Sequence, residues 1–114
     1  MHQAPLSYTA ATGGRAGTTI LKLVGPLTLT NMLSFQHELR AMDSPVLIVD
    51  MSGVTYMDSA GLGLLMNGYV SAQNHNRKFL LAGVNDRVFA LLQMTKVDSV
   101  LPVFPSARAA EDSL

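Results

Sequence analysis

Residues 46–74 read VLIVDMSGVTYMDSAGLGLLMNGYVSAQN, and this stretch decides the fold. It opens with a short apolar, β-branched run between Pro45 and Asp50, which is typical of a strand buried on both faces. Polar and turn-forming residues follow. From residue 59 onward the apolar residues recur at helical spacing, at Leu62, Leu65, Met66, Tyr69 and Val70. The pattern predicts a buried strand, a short loop, and a helix that begins at Asp58 or Ser59.

The predicted helix start has a chemistry of its own. Asp58 and Ser59 are both good N-cap residues, because their oxygens accept hydrogen bonds from the free amides of the first turn. A hydroxyl group at this place lies near the surface and near the positive end of the helix dipole. A phosphate group added there would meet backbone N–H groups and not an apolar core. The simpler interpretation is that both residues only cap the helix.

The flanking sequence predicts alternating strands and helices. Residues 6–12 and 18–24 form a predicted hairpin, and Thr28 or Thr30 is expected to cap a helix that ends near residue 42. Further segments follow the central strand and helix: a strand at 78–82, a helix capped by Asn85 that ends near residue 95, a strand at 100–103, and a last helix from 105 to 110. This order favours an α/β domain with a mixed sheet of four to five strands, covered mainly on one face by about four helices.

The full string resembles the signature of the STAS domain, in particular that of bacterial anti-sigma factor antagonists. In that family an apolar strand is followed by D-x-S-x-V-x-x-M/I-D-S-S/T-G-L and then by a helix. The matching residues here are Asp50, Ser52, Val54, Met57, Asp58, Ser59, Gly61 and Leu62. The resemblance implies a STAS fold over residues 1–114 as a single domain, and we expect residues 1–5 to be disordered.

The same resemblance implies a function. The unphosphorylated domain would bind an anti-sigma factor of the histidine-kinase-like ATPase type and release a sigma factor. Phosphorylation by that serine kinase would end the binding, and a serine phosphatase would restore it. The partner-binding residues that we predict are Asp50, Ser52, Asp58, Ser59, Ala60, Gly61, Leu64 and Gly68.

One position departs from the family pattern. Family members usually carry two adjacent hydroxyl residues before the glycine, whereas the second position here is Ala60. Either Ser59 is the phosphate acceptor, which is our working hypothesis, or this protein is not switched at this position. In the second case it would be a STAS subunit of a lipid-transport ABC complex or of a stress-signalling scaffold.

The glycines of the second helix allow two interpretations. Gly61, Gly63 and Gly68 each cost roughly 1 kcal/mol relative to alanine in a helix interior. They could permit close packing on the sheet. They could instead make a flat surface for a partner, with Leu64 as an exposed apolar contact.

Composition argues against several other functions. The formal net charge is zero and no basic run is present, so we expect no nucleic acid partner. There is no cysteine, no spacing typical of metal ligands, and no P-loop, so we expect neither a metal nor a cofactor. Residues 1–5 lack the regions of a signal peptide and no apolar run is long enough for a membrane helix, so we expect a cytoplasmic protein without membrane insertion.

A small stand-alone enzyme is the remaining alternative. A serine nucleophile needs a base within reach, and the histidines are His2, His37 and His75. His75 would lie about 24 Å from Ser59 along the predicted helix, at about 1.5 Å per residue. We therefore expect no enzymatic activity from this chain.

Overall fold

The computed structural model describes residues 5–114, so the expected disorder of residues 1–5 falls almost entirely outside the described part. A five-stranded sheet has its strands in the order of the sequence. The first pair is antiparallel and the other three pairs are parallel. The strands are β1 Ser7–Thr12, β2 Thr18–Val24, β3 Val46–Gly53, β4 Lys78–Ala82 and β5 Val103–Phe104.

The helices lie between and after the parallel strands. Their bounds are α1 Leu33–Ala41, α2 Ser59–Asn74, α3 Asp86–Met94 and α4 Ala107–Asp112, with a short 3₁₀ helix at Val97–Ser99. The predicted mixed α/β architecture with four helices is confirmed. Several bounds differ from the prediction: β3 continues to Gly53, β5 begins only after Pro102, and α4 runs from Ala107 to Asp112 and not from 105 to 110.

The main core lies between the sheet and helices α1, α2 and α3. Alternate residues of β3 face this core, among them Leu47, Val49 and Met51, and Phe35 of α1 and Leu65 of α2 pack against them. The intervening residues of the strands face the other side, where α4 covers a smaller cluster that contains Ile48, Leu80, Ala82 and Ala110. The expectation that helices cover mainly one face is therefore correct.

The first helix begins later than predicted. Neither Thr28 nor Thr30 caps it, since α1 begins at Leu33 behind Met32, which makes no side-chain cap hydrogen bond. Thr28 is buried, and its backbone N–H donates to Asn31 Oδ1 at 2.9 Å. The late start of α1 is caused by a tertiary contact. Leu27 forms a parallel bridge with Met57, and this bridge holds the chain after β2 against the loop after β3.

The inward stripe of α2 also differs from the prediction. Val70 is exposed, whereas Leu64 is only 5% exposed and packs in the main core. The side of α2 that faces the core carries Gly61, Leu64 and Gly68. The two glycines have no side chain, so neighbouring residues approach the helix closely at these positions. A Cβ atom at Gly68 would lie 2.8 Å from the Phe79 ring.

Candidate functional site

The start of α2 lies where the sequence predicts it. Asp58 is the N-cap, and its Oδ1 accepts a hydrogen bond from the Gly61 backbone N–H at 2.9 Å. Ser59 is the first residue of the helix and is exposed. Within residues 5–114 its hydroxyl group has no hydrogen-bond partner. A kinase could therefore reach this hydroxyl without any unfolding of the domain.

The second carboxylate oxygen of Asp58 joins two loops. Oδ2 accepts from the Leu29 backbone N–H at 3.1 Å. Nearby, Leu27 N–H donates to Tyr56 O at 2.9 Å, and Asp58 N–H donates to Leu27 O at 3.3 Å. The carboxylate makes no contact that would orient the Ser59 hydroxyl, because its oxygens accept from the backbone N–H groups of Gly61 and Leu29 instead. Its role is to fix the loop that follows β2 against the start of α2.

Two backbone donors at the helix start remain available. Within the described residues, the N–H groups of Ser59 and Ala60 have no hydrogen-bond acceptor. The 16-residue helix also carries the positive end of its dipole here. Unpaired N–H groups and a helix dipole are the elements that stabilise a phosphate group at a helix N-terminus. A phosphoryl group on Ser59 would thus find local partners, although Asp58 is next to it.

Asp50 and Ser52 lie at the same end of the sheet but do not join this cluster. Asp50 Oδ1 accepts from the Ser52 backbone N–H at 3.0 Å within β3, next to the irregularity in its pairing with β2. By strand alternation both residues face the α4 side of the sheet, whereas their neighbour Met51 lies in the main core on the other side. The predicted partner-binding set therefore divides between two faces of the sheet.

Three further predicted contact residues are not on the surface that we expected. Gly61 and Leu64 are buried, and Gly68 packs against Phe79 and Leu39. The expectation that Leu64 is an exposed apolar contact is wrong. The close-packing interpretation holds for Gly61 and Gly68. Only Gly63 has open space around it, since a Cβ atom added there would have no neighbour within 4 Å.

Exposed apolar side chains that the sequence pattern did not predict lie in the neighbouring loops and at the start of α1. Leu29 is 67% exposed, Leu33 is 64% exposed and Tyr56 is 44% exposed. Leu29 and Tyr56 adjoin the bridge between Leu27 and Met57, so both lie close to Asp58. Leu29 and Leu33 belong to the segment GPLTLTNML, whose apolar residues keep no single helical or strand spacing along its length, so the pattern does not predict their exposure.

The described residues show no arrangement for nucleophilic catalysis at Ser59. His75 is the C-cap of α2, at the opposite end of the helix from Ser59, and His37 is exposed on α1. Across residues 5–114, no group of three or more His, Asp or Glu side chains could hold a metal ion. A search of the same residues finds no helix with the length and hydropathy to cross a membrane.

Comparisons with known proteins give one matching domain family and similar proteins within it. The family model of the STAS domain matches residues 9–110. An anti-sigma-B factor antagonist from Listeria monocytogenes is 33% identical over 58 residues, which is 51% of this chain and 51% of that protein. A second, from Staphylococcus aureus, is 41% identical over 56 residues, 48% of this chain and 51% of that protein. The chain thus spans about half the length of the curated relatives it matches.

A solved structure shows the same fold over nearly the whole chain. An anti-sigma factor antagonist from Mycobacterium paratuberculosis superposes with a TM-score of 0.85 at 18% identity, covering 98% of this chain and 97% of that one. At this level of identity the likeness concerns the fold alone.

Proposed function

Because this chain belongs to the STAS domain family, we propose that it is an anti-sigma factor antagonist. In its unmodified form it binds an anti-sigma factor that is also a serine kinase of the histidine-kinase-like ATPase type, and so releases a sigma factor. Phosphorylation of Ser59 ends the binding, and a serine phosphatase restores it. In this scheme the catalytic machinery belongs to the partners, and this chain is both substrate and ligand.

The observation that carries the proposal is that Ser59 is exposed at the start of α2. The curated proteins to which this chain is similar are named anti-sigma-B factor antagonists. The hydroxyl group is accessible, and backbone donors lie beside it. The surface around it carries Leu29 and Tyr56, which offer the apolar contact that a protein partner needs. These features support a docking surface with a modifiable group inside it.

The switch works through charge. A phosphoryl group brings close to two negative charges next to Asp58. In the free domain, water and the N–H groups of Ser59 and Ala60 stabilise these charges. A docked partner would remove the water, and any acidic group of the partner would meet a like charge, which costs several kcal/mol. Since about 1.4 kcal/mol changes an affinity tenfold, binding would weaken a hundredfold or more.

The first test concerns the modified residue. The purified protein is incubated with ATP, Mg²⁺ and the kinase-type anti-sigma factor encoded in the same genome, and the product is mapped by peptide mass spectrometry. We expect one phosphoryl group on Ser59 and none on the variant Ser59→Ala. An unmodified peptide around residues 58–61, recovered from a reaction in which the kinase is demonstrably active, would refute Ser59 as the acceptor.

The second test concerns binding. Calorimetric titration should show that Ser59→Asp binds the anti-sigma factor at least tenfold more weakly, because one fixed charge imitates part of the phosphoryl charge. The control is Ser71→Asp, the same change at an exposed position of the same helix, about 18 Å further along at about 1.5 Å per residue. Equal affinities for both variants would contradict the charge mechanism.

A second candidate function rests on Ala60. Because this residue removes one of the two hydroxyl groups usual at this position, a STAS subunit of a lipid-transport ABC complex or of a signalling scaffold is the alternative. Affinity capture separates the two functions. Recovery of a transporter ATPase in stoichiometric amounts, with no phosphorylation of Ser59, would favour the alternative.

A further inference from the structure

A cavity of about 410 Å³ lies at the end of the domain opposite to Ser59. The last turns of α1 and α2 and the first residues of β3 and β4 enclose it, with lining residues from Arg40 to Ser44 on one side and from Asn67 to His75 on another. Its volume falls within the range of small-molecule sites, toward the lower end. The proposed switch makes no use of this cavity.

The floor of the cavity is apolar. Leu39, Leu47, Leu64 and Phe79 line it, and each of them is also a member of the main core. Gly68 contributes only backbone to the same wall. An apolar group placed here would be covered by rigid, already packed side chains, so its binding would cost little ordering entropy in the protein.

The rim of the cavity is cationic. Arg40, Arg77 and Lys78 line it, and Asp43 is the single carboxylate among the lining residues. Arg77 Nη1 donates to the carbonyl oxygen of Met42 at 3.3 Å. The side chains of Arg40 and Lys78 are exposed and have no hydrogen bond or ion pair within residues 5–114. Two cationic groups are therefore available to a ligand.

These cations have a competing structural role, which is to balance the negative ends of α1 and α2. Each helix end carries about half an elementary charge, so the two ends and Asp43 together amount to about two negative charges. Three cations exceed this amount. Arg77 already serves the end of α1 through Met42, so Arg40 and Lys78 carry the remaining excess of about one positive charge.

We propose that this cavity binds a small amphiphilic anion. An apolar body occupies the floor over Leu64 and Phe79, and a single carboxylate or phosphate head group pairs with Arg40 and Lys78. The head group is stabilised by charge at the rim and the body by burial of apolar surface, so each part alone binds weakly. The site is independent of the proposed switch, because it lies at the other end of α2 from Ser59.

Nuclear magnetic resonance titration of the ¹⁵N-labelled protein tests the proposal with four probes: octanoate, octyl phosphate, 1-octanol and inorganic phosphate. We expect the two amphiphilic anions to shift the amide signals of Gly68, Ser71 and Lys78 and to leave that of Ser59 in place. The tighter of the two identifies the preferred head group. 1-Octanol and inorganic phosphate should each bind at least tenfold more weakly than either anion.

A charge-matched pair of variants completes the test. Arg40→Gln with Lys78→Gln removes two exposed cations from the rim, and we expect about tenfold weaker binding of octanoate. Arg15→Gln with Arg87→Gln removes two exposed cations elsewhere and should change the affinity less than twofold. Thermal unfolding verifies that both variants fold.

Three outcomes would overturn the inference: no shift at the cavity amides with any probe, equal affinity for octanoate and 1-octanol, or an equal loss in both double variants. None of these outcomes bears on Ser59, whose phosphorylation is measured separately. Failure of this inference and failure of the proposed function are thus distinguishable.

Discussion

Two glycines in the first turns of α2 should respond in opposite directions to the same substitution. A Cβ atom at Gly61 would collide with the carbonyl oxygen of Leu27 and would come within 2.9 Å of Leu27 Cγ and 3.0 Å of Met57 Cγ. At Gly63 a Cβ atom would have no neighbour within 4 Å. Both glycines have ordinary helical backbone, so intrinsic helix propensity favours alanine at each position by about 1 kcal/mol.

The expected magnitude at Gly61 follows from what has to move. The nearest obstacle is backbone, and the Leu27 carbonyl oxygen accepts from Asp58 N–H while Leu27 N–H donates to Tyr56 O. A shift of Leu27 strains both hydrogen bonds, each of which contributes about 1 kcal/mol. Overpacking of a filled site adds about 1–3 kcal/mol. After the gain in helix propensity, Gly61→Ala should lower the free energy of unfolding by about 2 kcal/mol.

Urea unfolding followed by circular dichroism measures both variants under one condition. Gly63→Ala should raise the free energy of unfolding by about 0.5–1 kcal/mol, because only the propensity term acts. For a domain of this length about 1 kcal/mol corresponds to roughly 4 °C in melting temperature. If Gly61→Ala proves as stable as the wild type, then α2 does not pack closely on the Leu27–Met57 bridge.

The remaining predictions concern Asp58, the core residue Leu64 and the exposed residue Leu29. Asp58→Ala should lower the free energy of unfolding by about 1–2 kcal/mol in urea titrations, because the helix loses its N-cap and the Leu29 N–H loses its acceptor. An unchanged midpoint would refute the bridging role of that carboxylate. Leu64→Ala should destabilise by about 2–5 kcal/mol as a core truncation, whereas Leu29→Ala should change stability by less than about 0.5 kcal/mol and weaken partner binding about tenfold. Calorimetry that finds normal partner affinity for Leu29→Ala would exclude this side chain from the docking surface.

The start of α2 could be predicted from the sequence because its signals are local. A buried strand, a loop and an N-cap residue follow one another within a few positions, and each depends on nearest neighbours along the chain. The same holds for Asn85, whose side chain accepts from the Val88 backbone N–H as its position before a helix predicts. Local hydrogen-bond chemistry needs no knowledge of the tertiary structure.

The inward face of α2 could not be predicted in the same way. Apolar residues occur on most sides of this helix, so the period alone does not decide between a stripe that includes Val70 and one that includes Leu64. The glycines decide it. Because Gly61 and Gly68 allow close approach to Leu27 and Phe79, the helix turns that side toward the sheet and leaves Val70 in solvent. The relevant partners lie far away in the sequence.

The loop after β2 was predicted wrongly for a related reason. Thr28 is a good N-cap by residue type, yet it lies in a segment that pairs with the loop after β3 through Leu27 and Met57. This pairing postpones the first helix to Leu33 and brings Leu29 next to Asp58. The apolar part of the candidate docking surface therefore arises from a tertiary contact that no local pattern encodes.

The bonding of Asp58 bears on how a modification of Ser59 would act. Both carboxylate oxygens of Asp58 already accept hydrogen bonds, from the backbone N–H groups of Gly61 and Leu29. The loop after β2 is therefore held against the start of α2 before any phosphate is added. A phosphoryl group that accepts from the Ser59 and Ala60 N–H groups would not compete for these bonds. The modification would then change the charge of the docking surface and leave its shape intact. A switch of this type needs no second conformation, because its free-energy cost arises where the partner removes water from the phosphate.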